Sequence, residues 1–192
     1  MSFADVQNKT TIIGFSADDA TVILAAIRTA YEGSATARSI FDTWISVPGK
    51  TITIEFLDGS FQAAVGAGKL QIDLNYLTNA MYIDNSGTAV KDTVVTAIVH
   101  ELAHALAGTS DLDADYILDY RGSNISLSNV IYGELGLPEQ NSQKAYDRFG
   151  AILVPGFQYT NGAAIDRSVA QDRDWDSSSA GNSKDLLIGG AG

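Results

Sequence analysis

The sequence predicts an α+β domain in which a small mixed or antiparallel sheet packs on one long helix, followed by a more irregular helical part. Three observations carry this. KTITIEFL (50–57) and LQIDLN (70–75) alternate with a period of two, as strands do; a long stretch with helical apolar spacing follows them; and the order of strand, helices, strands, helix lacks the regular alternation of a parallel α/β fold.

Taken in order, TTIIGF (10–15) reads as a β-branched strand. Ser16 then precedes Ala17, Asp18 and Asp19 as an N-cap with acids in the first turn, and a helix runs to about Tyr31. Gly33 breaks it, and ATARSIFDTWI (35–45) gives a second short helix ending near Pro48. In KTITIEFL the alternation puts Ile52, Ile54 and Phe56 on one face, and Asp58-Gly59 ends the strand in a turn. GSFQAAVGAGKL (59–70) reads as a glycine-rich loop, LQIDLN as the next strand, and NAMYIDNSG (79–87) as an extended piece that turns at Asn85 to Gly87. Thr88 to Ala107 is the longest helical segment, with Val94, Val95, Ile98, Leu102, Ala105 and Leu106 on its apolar face and Gly108 placed to stop it. Beyond it, ADYILDY (114–120) suggests a helical turn. SLSNVIYGELG (126–136) is a short helix capped by Ser126 or Ser128 and closed by Gly136-Leu137-Pro138, and AILVPGFQYT (151–160) is extended. QDRDWDSSSAGNSK (171–184) has the composition of a polar linker, so the compact domain is expected over 1–170 and an appendage over 171–192.

With 192 residues, 45% of them apolar, the chain can bury a full core. Its 23 acidic against 12 basic residues give a formal charge of −11, and the acids are scattered; phosphate neutralisation needs clustered Lys and Arg, so nucleic acid is a poor partner. The same charge favours a soluble monomer. No cysteine is present, so any metal must be held by His, Asp, Glu, backbone or water. No stretch approaches the roughly 18–20 apolar residues of a membrane helix, and Met1 to Asp5 opens no charged-then-apolar leader.

Both histidines of the chain lie in VVTAIVHELAHALAGTSD (94–111), four residues apart, with a glutamate directly after the first. On a helix, positions i and i+4 share a face, so His100 and His104 can reach one zinc ion, while Glu101 is rotated by about 100° and stands beside the ion as a general base. The alternative is a helix that happens to carry two histidines. Against it, the flanks TAIV and ALA are apolar, as a buried active-site helix requires, whereas a solvent-facing pair belongs among Lys, Glu and Gln. A catalytic zinc takes a third protein ligand and keeps one open position. Asp111 leads, seven residues after His104 and just past the Gly108 stop; Glu134 and Asp113 follow, with Asp115 and Asp119 also in reach. For each the alternative is a solvated loop or cap acid. Tyr120, Tyr132 and Tyr159 are possible transition-state donors, or packing residues with one wet end.

His100, Glu101 and His104 complete the H-E-x-x-H motif, and on it the chain resembles the zincin metallopeptidases. The metzincin pattern H-E-x-x-H-x-x-G-x-x-H/D is met one residue late, at Gly108 and Asp111, and no methionine follows Met81. HELAHALAG, DYRGSN and SNVIYGELGLPEQNS look more like the bacterial M91 (NleD-like) peptidase family, over about residues 95–150. That family tends to place an acid where Ser128 stands here, so its third ligand does not carry over. At the far end AGNSKDLLI and GGAG resemble the calcium-binding RTX nonapeptide: Gly181, Asp185 and Leu187 match, Ala180 and Ser183 depart, and Gly189, Gly190 and Gly192 begin a second repeat. The alternative there is a flexible Gly/Ser tail.

These resemblances imply a zincin-like fold and a zinc-dependent endopeptidase acting on a peptide or protein. They imply Asp185 as a calcium ligand, although one and a half repeats make a weak site, and a secreted bacterial parent exported without a cleaved leader. LQIDLN would be the edge strand on which an extended substrate pairs. A non-catalytic metal-binding module of a large secreted RTX protein is the competing expectation.

Overall fold

The computed structural model describes residues 1–58, 61–77, 81–86, 88–110 and 123–140. Over these the chain is α+β, as expected. A short helix α1 (Phe3–Asn8) opens it, with Ser2 and Asp5 exchanging N-terminal hydrogen bonds in a capping box; the sequence reading gave this segment no element. Strand β1 (Thr10–Ile13), helix α2 (Ala17–Gly33) and helix α3 (Ala35–Ser46) follow, with Ser16 and Ser34 as the respective N-caps. Then come β2 (Ile52–Phe56), β3 (Phe61–Ala64), β4 (Lys69–Ile72), α4 (Leu74–Leu77), β5 (Met81–Ile83) and β6 (Ala89–Lys91). The last described elements are α5 (Val94–Leu102), a π turn (Ala103–Ala107) continuing it, and α6 (Ser123–Leu135).

Four strands form one sheet in the order β1-β2-β4-β3, parallel except for β3, which runs antiparallel to β4. Strands β5 and β6 form a separate antiparallel pair. The alternation read in β2 is kept: Ile52 and Ile54 are fully buried, as are Leu70 and Ile72 of β4, while Phe56 at the strand end is exposed and packs edge-on against Phe15. These side chains join Ile23 and Ile27 of α2, Phe41 and Trp44 of α3, and Ile98, Leu102 and Leu106 in one core. From Thr96 to Leu106 every residue is buried, so the histidine helix is enclosed on all sides.

Four expectations are corrected. GSFQAAVGAGKL is not a loop throughout: 61–64 form β3, and a turn through Gly66 and Gly68 returns the chain as β4. LQIDLN is consequently not an edge: β4 bonds β2 on one side and β3 on the other, and β3 takes the edge. The helix does not begin at Thr88, because 89–91 pair with β5 and Thr93 then caps α5 through the Thr96 N–H, leaving α2 the longest helix among the described residues. Finally, α6 starts at Ser123, so Ser126 and Ser128 are interior helical residues and not caps. The described part of 1–170 ends at 140, and the linker and 171–192 lie outside the described residues.

Candidate metal centre

The C-terminal half of the buried helix carries His100, Glu101 and His104. They are 0%, 2% and 7% exposed, which is unusual for three ionisable side chains and costly unless the groups have work for their charges and lone pairs. The two imidazole rings lie on one face with centroids 5.1 Å apart and planes at 76°. Rings spaced in this way on one helix face could both reach a single zinc ion, whose bonds to imidazole nitrogen are about 2.0–2.1 Å long.

The His104 ring is fixed from behind. Its Nδ1 lies 2.7 Å from the carbonyl oxygen of Thr109, which can only accept, so Nδ1 carries a proton, and in the neutral ring Nε2 then keeps its lone pair. Thr109 reaches this position because Gly108, in the left-handed conformation at φ 69°, ends the π turn and reverses the chain. The turn takes up the extra residue that made Gly108 late against the metzincin spacing: π winding accommodates one more residue than an α turn.

Helix α6 closes the other side. Asn124, fully buried, donates from Nδ2 to the His100 carbonyl at 3.2 Å, accepts from Thr109 Oγ1 at 2.5 Å, and donates its backbone N–H to the Ser110 carbonyl at 2.9 Å. Two turns on, Tyr132 donates its hydroxyl to the Thr96 carbonyl at 2.7 Å and stacks on Tyr82. That contact makes Tyr132 a packing residue against the histidine helix. Ser128 lies one turn from each, on the face they present, and its hydroxyl is fully buried with no hydrogen-bond partner among the described residues. Such a group costs about 1–3 kcal/mol, and alanine is the better helix former by several tenths of a kcal/mol. Ser128→Ala is expected to leave stability unchanged or to raise it by about 1 kcal/mol in urea denaturation. A clear loss would mean that the hydroxyl is bonded.

Glu134 is not near the role of third ligand. Its carboxylate accepts hydrogen bonds from Ser34 Oγ, from the Thr36 N–H at 3.0 Å and from Thr36 Oγ1 at 2.8 Å, anchoring it at the N-terminus of α3. These bonds hold its pKa below the ordinary value of 4.5. A lowered folded-state pKa means that the contribution is present above about pH 4.5 and is lost as the pH falls through the folded value. Glu134→Gln should therefore flatten the acid limb of the stability profile below that pH. An unchanged limb in thermal melts would contradict the assignment.

Among the described residues no third His, Asp or Glu joins the pair in a metal-holding group. Asp111, Asp113, Asp115 and Asp119 lie outside the described residues, as do Tyr120, Tyr159 and Asp185. Sequence reasoning gave no role to Thr109, Asn124, Gly66 or Gly68. Only Asn124 stood in a segment that had attracted notice, DYRGSN. No helix among the described residues is long and apolar enough to cross a membrane.

No family model matches the chain, and neither does any curated protein. Among solved structures the fold is similar to the crystal structure of the Salmonella zinc metalloprotease effector GtgA, at 16% identity and a TM-score of 0.55, over 73% of this chain and 82% of that one. At that identity the likeness is one of fold.

Proposed function

We propose that the chain is a zinc-dependent endopeptidase in which His100 and His104 hold the ion, Asp111 supplies the third ligand and Glu101 is the general base. One observation carries the reading: two buried imidazoles share one helix face 5.1 Å apart, and the Nδ1 proton of the second is committed to a backbone carbonyl. The fold's likeness to a zinc metalloprotease effector supports it. When bound, zinc supplies a Lewis acid that acidifies water and polarises a carbonyl.

The chain's own residues do the rest. Glu101, one position round the helix from His100, takes the proton of the attacking water and returns it to the leaving amine. Apolar packing around 96–106 keeps bulk water from competing. Among the described residues β3 is an edge strand, and its outer side would offer backbone groups to an extended peptide, which would add to the sheet as a further strand. Under the same reading residues 171–192 carry a calcium-binding RTX-like repeat with Asp185 as ligand, and the protein is secreted.

The test is metal analysis of the purified protein together with a peptide-library digest. About one zinc per chain with cleavage is expected. Zinc without cleavage of any peptide or protein favours the non-catalytic module, and protein without zinc ends the proposal.

A further inference from the structure

A helix ends with four carbonyls that have no partner in the helix. At the end of the histidine helix the carbonyls of His104 and Ala105 are both engaged by a distant part of the chain, that of His104 in addition to the Gly108 N–H of its own cap. The Gly66 N–H donates to the His104 carbonyl at 2.9 Å, and the Gly68 N–H donates to the Ala105 carbonyl at 2.9 Å. Both donors sit in the turn of the β3–β4 hairpin, and both have positive φ, 65° and 68°. Only a left-handed turn at these two points aims alternate N–H groups at the helix end, which is why glycine stands at both.

The hairpin itself is anchored. The Gly68 carbonyl accepts from the Thr53 N–H of β2 at 2.8 Å, and a Cβ at position 68 would lie 2.5 Å from both the Thr51 carbonyl oxygen and Trp44 Cζ2. Trp44 in turn donates from Nε1 to that same Thr51 carbonyl at 3.0 Å. The turn is therefore seated between the sheet, α3 and the metal helix.

We infer that the β3–β4 hairpin is the positioning element of the second histidine: Gly66 and Gly68 hold the last turn of the metal helix and thereby set the orientation of the His104 imidazole. The link is a closed circuit. The His104 carbonyl receives Gly66 from outside and Gly108 from its own chain at 3.1 Å; the Thr109 carbonyl, one residue further on, receives the His104 ring at 2.7 Å. Moving the carbonyl of His104 moves the acceptor of its own side chain. The edge strand β3 and the ring are thus parts of one rigid unit, so a peptide bound along β3 would be registered against the site. The last point rests on the zinc endopeptidase reading; the positioning itself does not.

The circuit can be opened by replacing Gly66 with glycolic acid, which substitutes an ester for the amide and deletes the single N–H. Gly68→Ala displaces the same turn by steric contact. Because the chain has only two histidines, 15N labelling of histidine reports each ring separately in the metal-free protein. The parent is expected to show His104 as the Nδ1–H tautomer. Both variants should shift the His104 ring signals towards a mixture of tautomers and leave those of His100 in place, and zinc affinity should fall by about 10–100-fold, as for loss of an outer-shell contact. A lowered melting temperature with unchanged His104 signals in the ester would make the hairpin merely structural and overturn the inference. If the parent binds no zinc, the endopeptidase reading fails, and the ring signals still decide this one.

Discussion

Glu101→Gln is expected to lower peptide cleavage by about 10²–10⁴-fold while the protein retains its zinc and its fold. The size follows from the usual contribution of a positioned general base. The selectivity follows from geometry: Glu101 stands one position round the helix from His100 and is not on the face that the two imidazoles share, so the isosteric amide removes a proton acceptor without removing a ligand. Glutamine also fits the same buried space, 2% exposed, so no cavity or clash confuses the result. The measurement pairs kcat/KM on a fluorogenic peptide with metal content on the same sample. Equal loss of zinc and activity would move Glu101 from base to ligand, and full activity would remove it from the mechanism.

If His104 is a ligand as proposed, His104→Ala is expected to lose stoichiometric zinc, a larger effect than the roughly 10–100-fold of an outer-shell change, because it would delete a bond to the ion. It also leaves the Thr109 carbonyl without the ring it accepts from, a cost of order 1–3 kcal/mol, so circular dichroism should accompany the titration. Asp111→Ala in the same assay should weaken zinc to a comparable degree; parent-like affinity would take Asp111 out of the ligand set and leave Asp113, Asp115 and Asp119 as the carboxylates to try next. Glu134, engaged by Ser34 and Thr36, is not among them.

The readable part of this chain was the part whose signal is local. Ser16 as a cap, Ile52 and Ile54 as one buried face, Gly108 as a helix stop and the apolar flanks of His100 all express φ/ψ preference or side-chain period within a few residues, and each holds in the structure. The misread parts depend on partners far along the chain. FQAA (61–64) lacks the β-branched run that marks a strand, and becomes one by antiparallel pairing with β4. AVK (89–91) continues the apolar spacing of the helix after it but is claimed by β5, across a turn in which Asp84 Oδ1 accepts from the N–H groups of Ser86 and Thr88. Glu134 looked like a free carboxylate until its partners, 98 and 100 residues away, were brought to it.

What the sequence by itself determined is the helical phase of His100, Glu101 and His104, because a period of 3.6 residues places i and i+4 on one face and i+1 about 100° round from it, whatever surrounds them. What only the tertiary structure decided is how that set is held. The Nδ1 acceptor at Thr109, the Asn124 bridge and the two glycine N–H groups are backbone or small polar contacts without a period or a motif, and they exist only where the folded chain closes on itself.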